Sequence, residues 1–213
     1  MSENKKYELL KDDTITTPSG RTLYRIKALV AIGLLVAPGE LGGYIEKENN
    51  LSFHSNAWVY GNACVYGDAQ VSGNARVYGN AQVSGNARVY GDAQVYGDAQ
   101  VYGDAWVSVN AQVYGAAWVY GDARVSGNAR VYGDARVKNN KDIQWFSKVG
   151  SEEGTLTVCK AKRGLFVSRG CFSGTLPQFK KAVKAKHADS KIGRHYATLI
   201  KSIEIWFREE KAK

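Results

Sequence analysis

Six side chains in the chain could act as imidazole or thiol catalysts or as soft metal ligands: His54, His187, His195, Cys64, Cys159 and Cys171. No two of the cysteines form a CxxC pair, so the chain has neither a zinc-ligand spacing nor a disulfide framework. His54 precedes a repetitive middle segment, whereas His187 and His195 follow it, so the three histidines do not converge on one metal site. The glycines of Gly39-Glu40-Leu41-Gly42-Gly43 lack the strand-to-helix setting and the following Lys-Ser/Thr of a phosphate cradle. The expectation is a protein with no catalytic residue, no metal and no cofactor. Its unpaired cysteines suit a reducing cytoplasm.

The remaining chemistry is that of binding, and it is carried by repeats. From Ala57 to Val137 the chain writes fourteen hexads of the form Ala-x-Val-(Tyr/Ser)-Gly-(Asn/Asp), with no hexad missing or lengthened. A period of six fits neither a helical stripe nor a continuous strand, but it fits a short strand closed by a turn. Strand alternation turns Ala and Val inward and x and Tyr/Ser outward. Gly followed by Asn or Asp makes the corner, because these residues tolerate positive φ. Two hexads depart from the pattern: Val109 replaces a corner Gly and Ala116 a corner Asn/Asp.

These hexads resemble those of hexapeptide-repeat proteins, in which a branched aliphatic residue is followed four positions later by a small one, as in Val77 to Ala81. The flanking phrases Gly20 to Leu29, Gly39 to Ser52 and Gly154 to Phe179 are similar to those of a group of phage and prophage repeat proteins. The resemblance implies an all-β solenoid, a left-handed parallel β-helix of hexapeptide repeats, with β caps and a C-terminal helical segment. It also implies three hexads per coil and about 4.7 coils, a column roughly 22 Å tall at a strand spacing of about 4.8 Å. Enzymes on that fold include acyltransferases with a histidine base and protruding loops, and carbonic anhydrases with histidine-held zinc. The fourteen hexads carry no loop insertion.

With every third hexad on one wall, the residue after the inward Val reads Tyr60, Tyr78, Tyr96, Tyr114 and Tyr132 on the first wall. Beside this column run Trp58, Arg76, Gln94, Gln112 and Arg130. The second wall reads Tyr66, Ser84, Tyr102, Tyr120 and Lys138, and the third Ser72, Tyr90, Ser108 and Ser126. Stacked rings contribute roughly 0.5–1.5 kcal/mol per pair beyond burial, so the tyrosines read as a self-stabilising ladder. Tyr, Trp and Arg are also the residues enriched where partners dock, and Tyr60, Tyr78, Tyr96, Tyr114, Tyr132, Trp58, Arg76 and Arg130 read equally as a binding face. Such a face invites self-association or coverage by the C-terminal helix.

Charge is distributed unevenly. Residues 1–56 carry seven Lys/Arg against seven Asp/Glu, residues 57–137 five against six, and residues 138–213 seventeen against seven. The whole excess behind the formal charge of +9 therefore lies in the last third. There Lys160, Lys162, Arg163 and Arg169 line an expected hairpin, and Lys180, Lys181 and Lys184 crowd one helix. They read as a solvated face or as one positive surface for an acidic protein or nucleic acid.

The elements that must position these residues follow from local pattern. Residues 7–35 read as short strands around a turn at Thr17-Pro18-Ser19-Gly20, and the apolar run Ala28 to Ala37, too short to span a bilayer, as a buried strand or two. Ile45, Leu51 and Phe53 form a first irregular coil and its cap. After Val137 the pattern dissolves through Lys138 to Phe146, and Thr155 to Ala161 with Gly164 to Ser168 predicts a hairpin. Thr175-x-x-Gln178 is a capping box that starts a helix at Leu176 running to about Lys186. A second helix starts near Asp189 or Ser190 with Ile192, Tyr196, Leu199, Ile200, Ile203 and Trp206 on one face, packed on the hairpin or a solenoid wall. The organisation expected is an N-terminal β segment and cap (1–56), the repeats (57–137), a hairpin cap (138–174) and basic helices (175–213).

The functional expectation is a non-enzymatic scaffold of phage type in the cytoplasm of a bacterial host. It would bind a host protein, for example as a counter-defence or regulatory inhibitor, without touching a membrane and with self-assembly open. Two rivals remain: an acyltransferase-like enzyme with its site outside the repeats, and a nucleic-acid or anionic-ligand binder acting through the basic module.

Overall fold

A computed structural model describes residues 5–208. Each hexad makes one two-residue strand, giving fourteen in succession, β4 (Trp58–Val59) through β17 (Arg136–Val137). Each of the first eleven pairs in parallel with the strand eighteen residues on, as Gln94 and Val95 do with Gln112 and Val113. Strands therefore collect into three sheets, and these are the three expected walls. Every inward Ala and Val of the fourteen hexads is fully or almost fully buried. Alanine lets the walls approach, and stacked valines fill the column with no polar group to satisfy.

Corners need glycine for two reasons. Gly73, with φ +69°, turns in the left-handed region, and a Cβ there would stand 2.8 Å from the backbone nitrogen of Gly91 in the next coil. Val109 holds the same kind of corner at φ +62°, with its side chain exposed. Beside the glycines, side-chain amides link successive coils: Asn74 Nδ2 donates to Asp92 Oδ1 at 2.9 Å, and Asn80 and Asn86 reach Asp98 and Asp104 in the same way.

The N-terminal cap is an antiparallel hairpin, β1 (Tyr7–Thr16) and β2 (Thr22–Ala28), followed by β3 (Leu41–Ile45), which pairs antiparallel with β2 and parallel with the hexad strand Cys64–Val65. The second wall thus grows into an eight-stranded sheet. Gly42 and Gly43 serve close packing, since a Cβ on either would fall within 2.6 Å of a carbonyl oxygen of the first coil. The Lys6 ammonium, whose pKa burial lowers to about 8, donates its three protons to the carbonyls of Ser52, Ser55 and Ala57 at 2.6–2.8 Å. This stitches β1 to the first coil.

The apolar run corrects its expectation. Beyond Ala28 it forms only an isolated bridge between Ile32 and Val36, and Gly33 turns at φ +57°. Those two bridge residues are buried, so the segment between them bulges outward and leaves Leu34 and Leu35 exposed.

At the other end a 3-10 turn at Asn140–Asp142 leads into an antiparallel sheet of β18 (Ile143–Val149), β19 (Gly154–Lys160), β20 (Leu165–Arg169) and β21 (Phe172–Thr175). The predicted hairpin is its centre. The stretch where the repeat dissolves supplies the unexpected first strand. Alternation gives this sheet two working faces. Ile143, Trp145, Cys159 and Phe166 plug the solenoid, while Leu156, Val158, Leu165 and Val167 pack against α1 (Leu176–His187) and α2 (Lys191–Trp206). The helices start as expected, with Thr175 and Gln178 forming the capping box and Ser190 capping α2. No described helix is long and apolar enough to cross a membrane.

Candidate docking surface on the solenoid walls

On the first wall the register stacks tyrosines directly. Tyr78 and Tyr96 lie 4.7 Å apart, Tyr96 and Tyr114 4.7 Å, and Tyr114 and Tyr132 4.5 Å, all within 9° of parallel. Phe166 of β20 closes the C-terminal end edge-on to Tyr132 at 4.7 Å. Tyr60 is outside this stack and instead lines a hollow with Ile32, Leu34 and Leu35 of the bulged loop. The stacked rings are half-buried, which raises the pKa of Tyr78 and Tyr96 and pushes Tyr114 up to about 12, with Tyr132 and Tyr96 adding to the effect of burial. Tyr78, Tyr96 and Tyr114 therefore hold on to their O–H donors more firmly than free tyrosines. Tyr78 spends one on Gln94 Oε1 at 3.2 Å.

Trp58 corrects the outward assignment. It is fully buried, because Tyr7 of the N-terminal strand covers it edge-on at 6.1 Å. The rest of that row stays outside: Arg76 and Arg130 are exposed, and Gln94 and Gln112 half-buried. Cap side chains bound the wall at both ends. Arg76 shares the N-terminal hollow with Tyr60, Leu34 and Asp92, and Arg130 shares a C-terminal hollow with Ser168 and Arg169.

A second aromatic cluster on the third wall goes beyond the reading of that wall from its Tyr/Ser positions. Trp106 is sandwiched by Arg88 and Arg124, whose guanidinium carbons lie 5.3 and 4.6 Å from its ring centre, and Tyr90 meets it edge-on at 6.3 Å. Its signal lies in the x positions Gln70, Arg88, Trp106 and Arg124, which the register places in one row. On the second wall Tyr102 stacks on Tyr120 at 5.1 Å and Arg136 lies 4.4 Å over Trp118. All five arginines of the repeats thus stand on walls and none joins an ion pair among the described residues. All six aspartates of the repeats occupy corners.

The basic residues of the cap are less free than their number suggests. Lys160 pairs with the buried Asp142 at 2.9 Å, Lys180 pairs with Glu204, and Arg169 is largely enclosed with its guanidinium on the Val149 carbonyl. Lys162, Arg163, Lys181 and Lys184 are exposed. The six imidazoles and thiols stay apart: among the described residues no three His, Cys, Asp or Glu side chains are grouped to hold a metal. Cys159 is a core residue whose thiol burial pushes up to about 12. His187 lies against the Tyr196 ring, 5.6 Å between centres, and His54 is exposed.

Compared with known families, five segments of the repeats, residues 69–83, 81–97, 93–109, 99–115 and 117–131, match the family described as YdcK Beta solenoid repeat. The middle of the solenoid is similar to that repeat. A search of curated proteins gave no match to the chain.

Proposed function

We propose that this chain is a non-catalytic β-solenoid scaffold that docks a macromolecular partner on its first wall. One observation carries the reading: arginines that join no ion pair among the described residues stand beside a stacked column of half-exposed tyrosines, bounded at each end by cap side chains. Preformed stacking means the rings lose little freedom on binding, and Tyr with Arg is the pairing that dominates interface energetics. The wall arginines favour an acidic partner and would steer its approach. Resemblance of the flanking phrases to phage and prophage repeat proteins makes a bacterial host protein the partner to seek, in a counter-defence or regulatory role.

Capture from bacterial lysate with quantitative mass spectrometry tests this. A protein enriched by the native chain should be lost with Arg76→Glu combined with Gln94→Glu, both on solvent-facing positions. Enrichment that this pair leaves intact contradicts wall docking. Stabilisation by acetyl-coenzyme A would favour the acyltransferase alternative instead.

A further inference from the structure

Where the last strand of the first wall meets the C-terminal sheet there is a hollow of about 340 Å³ lined by Asn128, Arg130, Glu152, Gly154, Ser168 and Arg169, among others. Its two arginines border it from different segments, Arg130 from the last strand of the first wall and Arg169 from β20. The Arg130 N–H donates to Thr157 Oγ1 at 3.1 Å, and Ser168 Oγ donates to the Arg130 carbonyl at 3.4 Å, one residue before Arg169.

Arg169 is unusual for a cation. Its side chain is 9 % exposed, and its guanidinium lies in a slot that only glycine leaves open: a Cβ at Gly150 would stand 2.9 Å from Nη2, and one at Gly154 2.7 Å from Nη1. Nε and Nη2 both donate to the Val149 carbonyl, but Nη1 makes no hydrogen bond among the described residues. Among the described residues its one ion-pair partner is Glu152, 3.9 Å away on a side chain 78 % exposed. A buried charge calls for a close counter-charge, and this one has a loose and solvated one. Among the described residues Arg130 across the hollow has no ion pair, and Asn128, which accepts from Asn110 at 3.1 Å, donates its amide N–H groups to none of them and keeps them for a ligand.

We propose that this hollow binds a small oxyanion, the phosphate or carboxylate group of a free ligand, held between Arg130 and Arg169. Guanidinium groups recognise both through paired N–H···O bonds. The ligand oxygen takes the open side of Nη1, and Glu152 swings out to solvent. The site shares Arg130 with the end of the first wall, but its test reads a free small ligand and needs no wall partner.

Isothermal titration with inorganic pyrophosphate and with malonate, at ionic strength held constant with potassium chloride, tests the site. At least one probe should bind saturably at a single site. Arg130→Gln should weaken it about tenfold or more, as loss of a charged hydrogen-bonding partner requires. Glu152→Gln should tighten it severalfold, since it removes the competing carboxylate from an exposed side chain and spares the fold. Absence of saturable heat with both probes overturns the proposal, and so does binding that neither substitution changes. Binding confined to long single-stranded nucleic acid and lost steeply with salt also overturns it, because that describes a diffuse basic surface.

Discussion

In the inner coils of the repeats each valine meets a valine in the coils above and below, whereas in the cap Leu156, Val158, Val167, Phe179, Tyr196, Ile200 and Ile203 meet unlike partners between a sheet and two helices. Repetition separates inside from outside. Inward positions are held to two small apolar residues, while the x position is free to be Trp, Arg, Gln or Cys, so the walls can diversify at little cost to the column. In the cap, packing and surface are coupled: Lys160 and Arg169 serve buried partners as much as solvent. The sheet between them belongs to both, one face to each core.

The sharpest way to break this contrast is a charge inside the column. Val101→Asp buries an unpaired carboxylate between Val83 and Val119 and should cost several kcal/mol, whereas Gln100→Asp, one residue away on the outer face, should change stability by no more than about 0.5 kcal/mol. Chemical denaturation of the two variants reads this directly, and equal losses would reverse the assignment of faces. In the cap, Ile203→Ala should cost about 2–5 kcal/mol by leaving a cavity between α2 and the sheet. Amide exchange should then rise in the helices and outer sheet while the hexads stay protected; an equal rise throughout would mean one undivided core.

Alkaline titration probes both regions at once. Cys159 and Tyr114 have folded pKa values raised to about 12 from 9.0 and 10.0, so the stability they contribute is complete below pH 9 and is lost as pH climbs toward 12. Lys6 acts in the opposite sense between about 8 and 10.5, because its folded pKa is lowered, so the net fall should begin near pH 10. Urea midpoints that stay level from pH 9 to 12 would contradict these environments.

Smaller effects separate the ladder from the corner. Tyr96→Ser removes two stacking contacts and should cost about 1–3 kcal/mol, more than Tyr90→Ser on the third wall, where the ring meets Trp106 edge-on and stacks on no other ring among the described residues. Val109→Gly should stabilise by about 1 kcal/mol, since it relieves a branched residue held at φ +62°. A lowered melting temperature for Val109→Gly would show that the exposed valine side chain, not the corner geometry, matters there.

Register arithmetic made the column legible in advance. Fourteen hexads became fourteen strands on three walls, and four of the five tyrosines stack where counting in eighteens places them. The capping box of α1 was legible for a similar reason, since it joins residues three apart. What periodicity could not report is contact between distant segments. Trp58 is buried by Tyr7, Tyr60 is drawn into a hollow with Leu34, and Arg169 is enclosed by Gly150 and Gly154. The bulge at Leu34 escaped because an apolar run reads as buried, while Gly33 and the Ile32–Val36 bridge decide where it turns. Thus the middle of the first wall was readable, and its two ends were not.

The most direct measurement pits that wall against the cap. For a partner captured by the native protein, the dissociation constant should be compared between Arg76→Glu with Gln94→Glu on the wall and Lys181→Glu with Lys184→Glu on α1. Docking on the first wall predicts a loss of about a hundredfold for the wall pair and less than about threefold for the helix pair, the size expected of reversed charge inside and outside a contact. The opposite ranking would contradict it and place the interface on the cap.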